Sequence, residues 1–187
     1  SPNVFYRPGR KVAPSVHGDD FTSSGPKPSL DWLEKSISNS YEITIGPRLG
    51  PGPQDEKEAR ALNRIIRWRD DCIEYEADPR QVERLVDECG LEGAKPLATP
   101  GVRPTFKELE EDVALPKELF TAFRGAAARS NYLAADRIDA QYACKEICRW
   151  MAKPTEQSWA AMKRFCRYLV GLPRMGYTYK FQPATGI

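Results

Sequence analysis

The apolar residues of this chain change their prevailing period near Asp78, and that change limits the fold more than any other feature. Before it, short alternating runs lie between proline and glycine clusters; after it, apolar residues recur every three or four positions. The first pattern builds strands and turns, the second helices, so an α+β chain with its strands early is expected. Many of the 13 glycines and 16 prolines gather in the first 53 residues and near 93–104. Those stretches are the expected joints.

Residues 11–24 read as two extended segments meeting at Gly18-Asp19, where glycine supplies the unusual backbone angle of a hairpin. Pro14 removes a ladder donor and favours an edge position for the first segment. Behind Gly25-Pro26-Lys27-Pro28, Ser29 is expected to cap a helix over about 30–40, with Leu30, Leu33 and Ile37 on one stripe. Tyr41 to Ile45 alternates like a strand, and Gly46 to Pro53 reads as a loop. A second hairpin is expected from Leu62 to Trp68 and Cys72 to Glu76, turning at Asp70-Asp71. Asp78 then caps a helix that begins at Pro79, carries Val82, Leu85, Val86 and Cys89 on its stripe and ends at Gly90. Residues 91–106 read as a connector. Helices follow over about 116–135, 139–152 and 155–171, the last capped by Thr155, and Arg174 to Phe181 closes as a strand of alternating aromatics.

Hydrophobic residues make up 41% of the chain and charged residues 29%, the balance of a globular domain. No run approaches the roughly 20 apolar residues a bilayer span needs, and no charged and then apolar leader opens the chain, so membrane and secretory readings are set aside. Five cysteines without a CxxC spacing argue against a disulfide framework. Cys144 and Cys148 share a helix face, but with His17 the single histidine they read as packing thiols and not as zinc ligands. The formal charge of +2 hides a gradient: residues 124–180 hold 11 basic and 4 acidic side chains. Such an excess can follow a phosphate backbone or solvate helices.

Asp19 and Asp20 are the pair most suggestive of chemistry. Neighbouring carboxylates on a tight turn repel unless a cation neutralises them, which hard divalent ions do. Strand alternation aims one of the two more fully at an ion, and Asp19 is the expected direct ligand. The plainer reading is a polar turn. A hydrolase built on His17, Asp19 and Asp20 would need all three on one side of the hairpin, which alternation across the turn opposes.

Read in order, these segments resemble a known family. Val16-His17-Gly18-Asp19-Asp20-Phe21 resembles the acidic turn of reverse transcriptases, Leu62 to Trp68 with Ile73-Glu74-Tyr75 the primer-grip hairpin, and Asp78 to Leu91 the helix after it. Arg129 to Asp139, Trp150-Met151-Ala152-Lys153-Pro154 and Lys163 to Gly171 resemble the downstream part of copia-type LTR retrotransposon polyproteins. The resemblance implies a partial right-hand polymerase palm over 1–76, made of acidic hairpin, helix and primer-grip hairpin, and a mainly helical thumb or connection part over 77–187. It implies two-metal nucleotidyl transfer from a dNTP to a primer 3′-hydroxyl on an RNA or DNA template, with Mg2+ held by Asp19 and Asp20. Leu62, Arg64, Ile66, Arg67 and Trp68 would hold the primer, and Lys163, Arg164 and Arg167 the template-primer duplex.

The sequence also departs from the family. No Asp or Glu precedes Asp19. A third catalytic carboxylate, the fingers, the integrase and the ribonuclease H region would therefore come from elsewhere in a parent protein, and the chain alone is expected to be inactive. Gly18 stands where the family has a hydrophobic residue, and Arg137-Ile138-Asp139 lacks the family's proline. An intracellular setting follows from the resemblance, in an element particle in the cytoplasm or in the nucleus. The competing expectation is a non-catalytic nucleic-acid-binding or interaction remnant of a transposable element.

Overall fold

The computed structural model describes residues 3–182. Its contacts divide the chain into two compact units, one through Glu56 and one from Lys57 onward. The sequence places a division at 76/77, but the second hairpin lies in the same compact unit as the helices.

In the first unit β1 (Ala13–His17) and β2 (Asp20–Ser24) pair antiparallel in a register that sets His17 opposite Asp20. Gly18 takes φ +59° at the first turn position and Asp19 needs no positive φ, the pattern of a type II′ turn. Pro14 is not on an edge. An extended arm lies along the other side of β1, with Phe5 N–H donating to the Pro14 carbonyl, Arg7 N–H to that of Val12, and Val16 N–H to that of Asn3. A one-turn 3₁₀ segment, Pro8–Arg10, joins the arm to β1.

Helix α1 spans Lys27–Ser38 and starts three residues before the expected range. Its N-cap is Pro26, with Pro28 in the first turn, where a missing N–H costs nothing. Ser29 is therefore not the cap; its hydroxyl donates to the Arg10 carbonyl at 2.6 Å. Residues 41–45 form no strand: nothing pairs with them, and Tyr41 and Ile45 stand in solvent.

The second unit holds an antiparallel sheet in the order β3-β4-β5-β6, from Glu58–Ala61, Arg64–Trp68, Cys72–Glu76 and Gly176–Lys180. Leu62 and Asn63 are turn residues and not the start of the expected strand. Both have positive φ (49° and 68°), as a two-residue type I′ connection demands, and Ala61 faces Arg64 across it.

Helix α2 (Pro79–Glu88) is capped by the Asp78 side chain, which accepts from Arg80 N–H, and is followed by Gly90 at φ +64°. A five-residue helix, α3 (Phe106–Glu110), with a capping box between Thr105 and Glu108, begins at the last residue of the expected connector. Then come α4 (Phe120–Ala134), α5 (Gln141–Cys148) and α6 (Glu156–Gly171), the last with a capping box between Thr155 and Ser158.

Leu85, Phe123, Ala127, Cys144, Met162, Phe165, Cys166 and Leu169, all fully buried, form the centre of one core shared by α2, α4, α5 and α6. Cys89 and Cys148 line the same core as free thiols, and Cys72 is buried in β5.

Candidate nucleic-acid interface

The acidic hairpin is built as its sequence suggests. Asp19 sits in the turn and Asp20 opens β2 opposite His17, all three exposed. No hydrogen bond or ion pair holds either carboxylate among the described residues. Nor do those residues include any group of three or more His, Cys, Asp or Glu placed to bind a metal ion. A hard divalent cation takes about six oxygen ligands, so two carboxylates on one turn do not enclose one. Within this chain the two acids thus supply only part of a magnesium ion's coordination.

The other expected contact residues are engaged within the protein. Arg64 Nε donates to Asp136 Oδ2 at 3.0 Å, its Nη1 donates to the Leu62 carbonyl, and the guanidinium lies 5.5 Å from the Tyr132 ring centre. Tyr75 donates to the other oxygen of Asp136 at 2.8 Å. Burial, together with that acidic partner, pushes the Tyr75 hydroxyl up to about 12. Arg67 donates to Glu58 and Glu76, both at 2.7 Å. Arg174 grips Glu76 with two bonds of 2.6 and 2.7 Å. Glu76 is buried between those guanidiniums, and Arg174 first, then Arg67, hold its carboxyl below the ordinary range against the cost of desolvation.

Ile66 is half-buried opposite Tyr75, Leu62 is partly exposed in its turn, and Trp68 stacks at 5.0 Å on Phe181. On α6, Lys163 lies over Trp159 at 5.6 Å. Arg164 donates to the Thr99 hydroxyl at 2.7 Å, and Arg167 donates to the Lys95 carbonyl at 2.8 Å while its own carbonyl accepts from Leu97 N–H. These two arginines strap the 95–99 connector to α6. Any phosphate they meet competes with those bonds.

Sequence reasoning did not foresee a polar lock around Arg137. Its guanidinium is 1% exposed, pairs with both oxygens of Asp139, and donates to the carbonyls of Leu172 and Pro173 at the end of α6. Tyr168 donates to Asp139 at 2.7 Å. With Asp136 holding β4 and β5, the 136–139 turn ties the sheet to the helices. The signal available was the Asp136-Arg137-Ile138-Asp139 cluster itself, in a segment read only as part of a motif.

Comparison with known proteins gives two relatives. The chain is 33% identical over 166 residues, 88% of its length, to the retrovirus-related Pol polyprotein from transposon RE1 of Arabidopsis thaliana. It is 38% identical over 87 residues, 46% of its length, to the corresponding polyprotein from transposon RE2 of the same plant. No family model and no solved structure matches the chain. It spans 10% and 6% of the length of these curated relatives. The homologues of this chain are thus retrovirus-related Pol polyproteins of transposons, and it is similar to a short stretch of them.

Proposed function

We propose that the chain is a segment of a copia-type reverse transcriptase: the C-terminal part of the palm with its acidic hairpin and primer grip, followed by helical thumb or connection elements. The observation that carries the reading is the Gly18-Asp19-Asp20 turn, held between two paired strands with both acids in solvent, in a chain similar over 88% of its length to a transposon Pol polyprotein. In this reading Asp19 and Asp20 are two of the acids of a magnesium-dependent centre, completed by a carboxylate from elsewhere in the parent polyprotein. The parent's partners are a template-primer and a dNTP, and its setting is an element particle in the cytoplasm or nucleus.

The test is a chimera in which this chain replaces the matching stretch of an active transposon polyprotein. Incorporation of dNTP on a primed RNA template is expected with Mg2+ and is expected to fall by at least about a hundredfold in Asp19→Asn, a loss typical of removing a group that stabilises transition-state charge. The chain by itself is expected to incorporate nothing. Equal incorporation by the chimera and its Asp19→Asn and Asp20→Asn forms would remove the catalytic reading.

The second reading is a polynucleotide-binding remnant without metal chemistry, in which Asp19 and Asp20 are a polar turn standing in solvent. Salt-dependent duplex binding by a chimera that never incorporates dNTP would select it.

A further inference from the structure

Nine arginines hold carboxylates among the described residues. Arg7 and Arg10 hold none. Their guanidinium carbons instead lie 4.7 and 4.2 Å from the ring centre of the same residue, Trp32 on α1. Two acids lie close by in sequence on that helix, Asp31 and Glu34, but Arg48 engages both, at 2.6 and 3.1 Å. Two like charges against one indole repel each other, and an anion shared between them relieves the repulsion. Guanidinium planes suit phosphate oxygens in two-bond geometry.

The loop that carries them is fixed in place. Arg10 N–H donates to the Arg7 carbonyl, Lys11 N–H to that of Pro8, and the Ser29 hydroxyl anchors the Arg10 carbonyl. Gly25 approaches so closely that a Cβ there would lie 2.9 Å from the Lys11 carbonyl oxygen. Little conformational freedom is left to lose on binding.

Next to the pair in sequence stand Phe5 and Tyr6, 56% and 62% exposed. The arm is extended against β1, so Phe5 and Arg7 share a face. Exposed rings beside guanidinium groups that hold no carboxylate suit bases that are free to stack on a backbone that must be neutralised.

We propose that Arg7 and Arg10, braced on Trp32, form a phosphate clamp for a single-stranded polynucleotide, with Phe5 as its stacking neighbour. The proposal rests on the nucleic-acid reading above but not on polymerase chemistry.

The test uses the full chain and fluorescein-labelled dT20, followed by anisotropy between 50 and 200 mM NaCl. Arg7→Gln with Arg10→Gln is expected to weaken binding about tenfold or more and to lower the salt slope by about 1.4, the value for two phosphate contacts to a single strand. Arg69→Gln, which removes an exposed pair with Glu74 in the other unit, is expected to change neither quantity. Modification of the wild-type chain by p-hydroxyphenylglyoxal, read by mass spectrometry, asks the same question without a variant: dT20 is expected to shield Arg7 and Arg10.

An unchanged affinity and slope in the folded double variant would overturn the clamp, as would equal labelling with and without dT20. No binding of dT20 by wild type, or binding confined to duplex, would overturn it too. A failed dNTP incorporation test leaves these outcomes readable, and a failed clamp leaves the Asp19→Asn comparison intact.

Discussion

Arg137 is nearly sealed from solvent, yet every direction in which its guanidinium donates is met by Asp139 or by a carbonyl at the end of α6. A buried pair of this kind contributes little beyond what apolar packing would, but removing one partner strands the other. Arg137→Met is therefore expected to cost about 3 kcal/mol in urea unfolding, whereas Tyr75→Phe, which removes one hydrogen bond to Asp136, should cost about 1 kcal/mol. Glu76 carries a signature in pH. Its folded pKa lies below the ordinary value of a glutamate, so the stability it contributes is fully present above that value and is lost as pH falls through the folded pKa. A urea-midpoint titration from pH 7 to pH 3 should show a shallower acid decline in Glu76→Gln than in wild type. The presence of these charges was plain in the sequence, but their partners lie up to 98 positions away, a distance that residue patterns do not encode.

Among the elements, those whose signals are local were legible. The stripe from Val82 to Cys89, the Asp78 and Thr155 caps and the Gly18 turn all depend on neighbours within four residues, and each was found where the sequence puts it. Elements that depend on a distant partner were not. Tyr41 to Ile45 has strand periodicity but no ribbon to join, while Glu58–Ala61 has little periodicity and is drafted into the sheet by the Leu62-Asn63 turn. Helix α3 was missed because its five residues carry a capping box but no buried stripe. Thr155→Ala is expected to lower stability by about 1 kcal/mol, the typical worth of an N-cap, measured as a drop in the thermal midpoint. The acidic turn was legible for the same local reason. The arginines expected at nucleic acid were legible as basic positions, and it took the fold to show that Arg64 and Arg67 brace the sheet while Arg164 and Arg167 strap a connector.

At the scale of the whole molecule, the main core lies entirely between Ala77 and Leu169, inside the unit that begins at Lys57. A fragment of residues 57–187 is accordingly expected to melt cooperatively, with its helical circular dichroism intact; a gradual, non-cooperative melt would show that the core needs the first 56 residues. That unit also has an unusual order of assembly. The sheet closes only when β6 pairs with β5 from the far end of the core-forming sequence, Gly176 beside Glu76. During synthesis, the edge of β5 must wait through translation of α2 to α6 before its partner leaves the ribosome. Long-range closure of this kind is slow, and in the interval the bare ribbon can pair with a neighbouring nascent chain.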